Sequence, residues 1–210
     1  MNDYLAACLA LPRAHGLLGR GFASSSWDTL PPMRWSKGDR VDYRWDLIRR
    51  YAFAIPTDEA VAAVAALSPL VEIGAGRGYW AHLLREAGAD VLAFDTYPPR
   101  YADSGWWRPG DGEPWTRILR GGPERAGRYP DRTLFLCWPP YASGMAARAL
   151  RAYDRAGGRR LAYVGEDAGG CTGDRAFHAA LERDWRAERD VDLPRWSGVH
   201  DHLTIYRRQP

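Results

Sequence analysis

Hydrophobic and polar positions change rhythm near residue 55. Up to about residue 56 no period holds. A short apolar start gives way to Pro12, Gly16, Gly19, Gly21, serines at 24–26 and Pro31-Pro32, with Trp27, Trp35 and Trp45 scattered among them. Punctuation without periodicity predicts an irregular arm, residues 1–56, packed as a cap on a single domain that fills 57–210. From Thr57 the order is clear. Thr57 is placed to cap a helix with Asp58 and Glu59 in its first turn and Val61, Val64 and Leu67 at helical spacing, stopped by Pro69. Leu70-Val71-Glu72-Ile73 reads as a short buried strand. Trp80, Leu83, Leu84 and Ala87 then fall at i, i+3, i+4 and i+7 on a helix that Gly88 ends.

Val91-Leu92-Ala93-Phe94 is a second strand, ending at Asp95. Residues 96–114 hold Pro98, Pro99, Pro109, Pro114 and the pair Trp106-Trp107, so a loop stands where a crossover helix is expected. Trp115 to Leu119 reads as a third strand and Thr133 to Cys137 as a fourth. Ser143 is placed to cap a helix carrying Ala146, Leu150 and Tyr153, which Gly157-Gly158 stop, and Leu161-Ala162-Tyr163-Val164 is a fifth strand. Asp174 is placed to cap a helix carrying Phe177, Leu181 and Trp185. The tail holds two half-buried runs, Ala187/Val191/Leu193 and Leu203/Ile205, which predict an antiparallel pair at a sheet edge. Repeated strand–helix units predict an α/β domain with a mainly parallel sheet, helices on both faces and right-handed crossovers.

Composition narrows the function classes. With 210 residues, 46% hydrophobic and 26% charged, the chain fits one globular domain, and no apolar run approaches the roughly 20 residues of a membrane span. Residues 1–10 lack the basic start and long apolar stretch of a secretory signal. Cys8, Cys137 and Cys171 are too widely spaced for a disulfide framework or a zinc site, which suits a reducing cytoplasm and predicts no metal. Lys37 is the one lysine among 29 basic residues, leaving 28 arginines, and 26 acidic residues reduce the net charge to +3. That balance assigns the arginine excess to composition bias and argues against a nucleic-acid partner. Ten tryptophans, in contrast, each need a surface to pack on.

Chemistry concentrates at one junction. Gly74-Ala75-Gly76-Arg77-Gly78 joins a strand to a helix, where backbone approaches a ligand closely and helix N–H groups are open. Asp95 follows about 20 residues later at the end of the next strand, where a carboxylate accepts hydrogen bonds from a ribose. The dinucleotide fingerprint is G-x-G-x-x-G; the spacing here is G-x-G-x-G, with Tyr79 next. With Glu72 two residues before it, the segment resembles the first motif of class I S-adenosylmethionine-dependent methyltransferases. The resemblance covers about residues 55–208 and includes the order of elements, Asp95, the turn Gly121-Gly122-Pro123-Glu124 and the final antiparallel pair. It implies a Rossmann-like, seven-stranded, mostly parallel sheet with S-adenosylmethionine across the carboxyl ends of its first strands. By motif position, Glu72, Gly74, Ala75, Gly76 and Gly78 would surround the methionine part, Asp95 the ribose and Glu124 the adenine.

The fourth strand ends in Cys137-Trp138-Pro139-Pro140-Tyr141. This looks like the Asp/Asn-Pro-Pro-Tyr motif of amino-methyltransferases, but Trp138 stands at the polar position that grips the amine. A pair of prolines at a strand end also serves as a simple chain stop. Trp138, Pro139, Tyr141 and, from the preceding loop, Trp106 are the candidate walls of the substrate site, with Trp138 also beside the cofactor. Residues 165–174 form a glycine-rich acidic loop that either closes over a substrate or only connects two elements. Glu166 and His200 are the candidate proton acceptors, and a solvated strand start is the plainer reading of His200-Asp201-His202. Methyl transfer from a sulfonium is an in-line displacement in which alignment supplies much of the acceleration.

The reading is a methyltransferase for an oxygen or nitrogen of a small molecule in specialised metabolism, as a monomer or homodimer. Six of the ten tryptophans fall in segments predicted to surround one site, which favours an aromatic or cationic acceptor. An amino-methyltransferase of nucleic acid, a nicotinamide-dependent oxidoreductase and a non-catalytic binding protein of the same fold are the alternatives.

Overall fold

The computed structural model describes residues 1–14, 43–99, 112–196 and 199–210. Trp27, Trp35, Trp106, Trp107 and Pro109, all named above, lie outside the described residues. Thr57 caps α3 (Asp58–Ala65) as expected, its hydroxyl accepting the Ala60 N–H at 3.1 Å. All four residues of β1 (Leu70–Ile73) are buried, which is what a strand covered on both faces requires. It leads through the glycines into α4 (Tyr79–Glu86), then β2 (Val91–Asp95) and β3 (Leu119–Arg120). A 3₁₀ turn, Pro123–Arg128, precedes β4 (Thr133–Cys137), α5 (Met145–Arg155), β5 (Arg160–Gly165) and α6 (Arg175–Asp184). The chain closes with β6 (Trp185–Asp192) and β7 (His202–Arg208).

These strands form one seven-stranded sheet in the order β3-β2-β1-β4-β5-β7-β6. The first five run parallel, and β7 pairs antiparallel with both β5 and β6. Alternation along β4 sends Phe135 to a core under α3 and α4, with Val64, Trp80 and Leu84, and Leu134 and Leu136 to a core under α5 and α6, with Leu150, Tyr153 and Phe177. The sheet order reverses between β1 and β4, so the carboxyl ends of β1, β2 and β4 border one crevice, the place where open α/β sheets bind ligands.

Four expectations are corrected. The stretch before residue 56 is not irregular at its ends: α1 (Asp3–Ala14) and α2 (Tyr43–Arg50) are helical. Tyr4, Leu5 and Cys8 bury against Tyr51, Tyr79, Trp196 and Val199, partners so distant in sequence that no local period announces them. The third strand is only Leu119–Arg120, because Trp115 leaves the sheet, stacks on Tyr51 at 5.4 Å and donates its indole N–H to the Arg50 carbonyl at 2.7 Å. The N-cap of α5 is Gly144, at φ +61°, and Ser143 accepts the Met145 N–H at 3.2 Å from one position earlier. Trp185 belongs to β6 and not to the preceding helix. A register shift between Ala187 and Arg189 breaks the strand's alternation, leaving Trp185 and Val191 buried and Ala187 exposed.

Candidate functional site

The glycine loop is shaped by its backbone. Gly74 and Gly78 sit at φ +80° and +78°, a region that a side chain strains. A Cβ at Gly78 would also press on Ile118 Cδ1 at 3.1 Å. The amides of Gly74 and Ala75 donate to the Phe94 carbonyl at 2.8 and 3.0 Å, and the Gly76 amide donates to Asp95 Oδ2 at 2.9 Å. The Tyr97 amide donates to Asp95 Oδ1 at 2.8 Å, so Asp95 ties the loop to the end of β2. Burial raises the Asp95 carboxyl above its ordinary range, and those two amides oppose the rise. Gly78 begins α4 without a side-chain cap, which leaves the helix N-terminus facing the loop.

Glu72 is 1% exposed, and its Oε2 has no hydrogen-bond partner among the described residues. Burial pushes its carboxyl up to about 8, Arg85 pulling it down and Asp95 adding to the rise. A buried carboxyl oxygen without a partner costs stability, so it is the mark of a group arranged for something else. It borders a small cavity of about 40 Å³ with Tyr51, Ala75, Gly76, Tyr79 and Trp138.

Beside it opens a cavity of about 580 Å³, lined by Gly74, Gly76, Asp95, Tyr97 and Pro123 on one side. Trp138 with Phe53 stacked on it, Pro140, Tyr141, Met145, Arg148 and Cys171 line the other. Trp138, Tyr141, Gly74, Gly76 and Asp95 were sequence candidates and the fold brings them together. Phe53, Met145 and Cys171 carried no motif. Glu124 does not line the cavity; its Oε1 accepts the Gly122 N–H at 3.1 Å across its own turn, and Pro123 presents instead. Pro139 is also off the lining, and its carbonyl accepts the Gly173 N–H at 2.8 Å.

Glu166 and His200 lie together but not on the wall. The Glu166 side chain accepts the Cys171 N–H at 2.6 Å and the His200 N–H at 2.8 Å. Its own amide donates to Thr172 Oγ1 at 2.7 Å, and Tyr163 donates to its carbonyl at 2.9 Å. Burial works against its charge, but the Cys171 and His200 amides and the His200 ring outweigh it and hold the carboxyl below its usual range. The His200 ring, 3.5 Å from Glu166, is 77% exposed. The acidic loop is thus clasped to β5 and the start of β7 by one carboxylate. Among the described residues no group of three or more His, Cys, Asp or Glu side chains gathers as a metal site, and no helix is long and apolar enough to cross a membrane.

No protein-family model matches the sequence, and no curated protein matches it. Solved structures do match. The magnesium protoporphyrin IX methyltransferase of Synechocystis PCC 6803, with S-adenosylhomocysteine bound, aligns at TM-score 0.50 and 13% identity over 83% of this chain and 91% of that one. A putative tRNA (m1A22) methyltransferase of Streptococcus pneumoniae aligns at 0.48 and 12% over 73% and 71%. The 1,6-didemethyltoxoflavin-N1-methyltransferase of Burkholderia thailandensis aligns at 0.45 and 19% over 73% and 80%. At these identities a likeness speaks to fold, and the first carries it. With the strand order and the glycine junction, the chain has a Rossmann-like fold that it shares with this methyltransferase.

Proposed function

We propose that the chain is an S-adenosylmethionine-dependent methyltransferase acting on an oxygen or nitrogen of a small molecule in specialised metabolism. One observation carries the reading: the unpartnered, buried Glu72 oxygen and the Asp95 carboxyl flank the same glycine loop, Glu72 at the small cavity and Asp95 on the wall of the large one. That donor set fits the cofactor. Glu72 would face its ammonium group, the loop around Gly74, Ala75, Gly76 and Gly78 its methionine part, Asp95 its ribose hydroxyls and Pro123, rather than Glu124, its base. Bound there, it supplies an electrophilic methyl group. Trp138 and Tyr141 wall the acceptor, orient it and exclude water. Glu166 and His200, held together off the cavity wall, fix the acidic loop beside the acceptor site. A cytoplasmic location follows from the widely spaced cysteines, and the near-neutral charge favours a small acceptor over a polymer.

Calorimetric titration tests this directly: S-adenosylhomocysteine binds, and neither NAD nor NADP does. Failure of the first, or success of the second, removes the proposal. The second reading, an amino-methyltransferase of nucleic acid, draws on Trp138-Pro139-Pro140-Tyr141 and predicts retention on RNA or DNA at low salt, where phosphate contacts are strongest.

A further inference from the structure

Among the described residues Trp138 is the one non-glycine residue with positive φ, at +53°. For an L-residue that conformation costs roughly 1–2 kcal/mol, and Pro139 follows it, which restricts the backbone further. Three contacts hold it there. The Trp138 N–H donates to the Val164 carbonyl at 2.8 Å. Its indole Nε1–H donates to Asp201 Oδ1 at 2.7 Å, and Asp201, just ahead of β7, is 1% exposed. The indole plane lies against Phe53 with centroids 4.7 Å apart and 10° between planes. A side chain fixed in a strained conformation from three directions is preorganised, and such strain gathers at functional sites.

The chemistry of the fixed group is narrow. An indole has one donor and no acceptor, and that donor is taken up by Asp201. The Trp138 side chain therefore offers an incoming ligand no hydrogen bond for an amine, only an aromatic surface. Phe53 and Trp138 line both the large cavity and the small one around Glu72, so the ring pair stands where the two meet.

We infer that the Phe53–Trp138 pair, set by Asp201, is the specificity-determining surface of the acceptor site and selects a planar aromatic ring. The inference rests on the methyltransferase reading, under which the junction of the two cavities is where the methyl group meets its acceptor. Asp201 is a positioning residue acting through Trp138.

The test uses the full chain loaded with S-adenosylhomocysteine and two probes of the same skeleton, planar 1-naphthol and saturated decahydro-1-naphthol, titrated by calorimetry. The expected result is at least about tenfold preference for 1-naphthol. Trp138→Leu and Asp201→Leu bring that ratio close to one, whereas Trp138→Phe and Asp201→Asn, which keep a ring and an acceptor oxygen respectively, retain most of it. A purely structural role would weaken both probes alike and leave the ratio unchanged, which overturns the inference, as does equal binding of the two probes by the parent chain. If the parent binds no S-adenosylhomocysteine, the methyltransferase reading falls. The ratio and its dependence on Trp138, measured on the unloaded chain, then decide separately whether this surface selects planar rings.

Discussion

On the β1–β2 side of the cavity, shape is written in the backbone: Gly74 and Gly78 turn through positive φ, and carbonyls and amides of Phe94, Gly74, Ala75 and Gly76 tie the loop down. On the β4–β5–β7 side it is written in side chains, where Trp138 leans on Phe53 and Asp201, and Glu166, Tyr163 and Thr172 knot the acidic loop. Backbone geometry tolerates few substitutions but suits one ligand common to many proteins. A side-chain network changes with every replaced residue and suits a ligand peculiar to one. Under the proposed function, the contrast assigns the constant ligand to the first side and the particular one to the second.

The strongest way to probe the first side is to remove its tension. The Glu72 carboxyl ordinarily titrates at 4.5 and here at about 8. Between those values the native chain holds a proton that the unfolded chain has lost, so stability falls as pH rises through the window. One pKa unit is about 1.4 kcal/mol, which makes the expected loss on the order of 5 kcal/mol. Glu72→Gln should abolish that slope, leaving the variant more stable than the parent at pH 9 and nearly equal at pH 5, as read by urea denaturation. A parent whose stability is flat from pH 5 to 9 would show that Glu72 is not held neutral. Asp95→Ala should act on binding, reducing S-adenosylhomocysteine affinity about 100-fold, or roughly 3 kcal/mol, by the loss of charge-assisted hydrogen bonds. An affinity within threefold of the parent would place the ribose elsewhere.

On the second side the comparable intervention is Glu166→Ala. It leaves the Cys171 and His200 amides without their carboxylate, at a cost of about 2 kcal/mol. The sign with pH is opposite to that of Glu72. Because the Glu166 carboxyl is held below its ordinary range, its contribution is present at neutral pH and fades as pH falls through the depressed value. Chemical denaturation down the acid limb should show the parent losing stability that the variant never had. Parallel acid limbs would mean that the clasp is not ionic.

The difference between the two sides also explains what could be read from residues alone. Gly74, Gly76, Gly78 and Asp95 announce themselves because turns through positive φ need glycine, and the ribose contact proposed for Asp95 needs a carboxylate at a set distance along the chain. The core strands are legible for a similar reason, since burial on both faces forces continuous apolar runs. Phe53 carries no such mark: it reaches the cavity from before α3, and only the fold brings it against Trp138. Asp201 reads as part of a solvated strand start but is 1% exposed, its partner 63 positions away. Trp115 looks like strand because aromatic residues favour strands, and a stacking partner in another segment, Tyr51, draws it out of the sheet.

The smallest expected effect compares one helix cap from each side. Thr57 accepts the Ala60 N–H at 3.1 Å at the start of α3, and Asp174 accepts the Phe177 N–H at 2.9 Å at the start of α6. Replacing either with alanine should lower stability by about 1 kcal/mol, measured by thermal or urea unfolding. Their consequences for the cavity should differ. The residue before Asp174, Gly173, donates its N–H to the Pro139 carbonyl at 2.8 Å, and Thr172 bridges to Pro140, so slack at this cap reaches the segment that fixes Trp138. Asp174→Ala should therefore also reduce the preference for 1-naphthol over decahydro-1-naphthol by a factor of about two, whereas Thr57→Ala leaves it alone. Equal ratios in the two variants would show that the aromatic surface is held by Asp201 and Phe53 without help from the loop, and would shrink the side-chain network on this side to Trp138, Phe53 and Asp201.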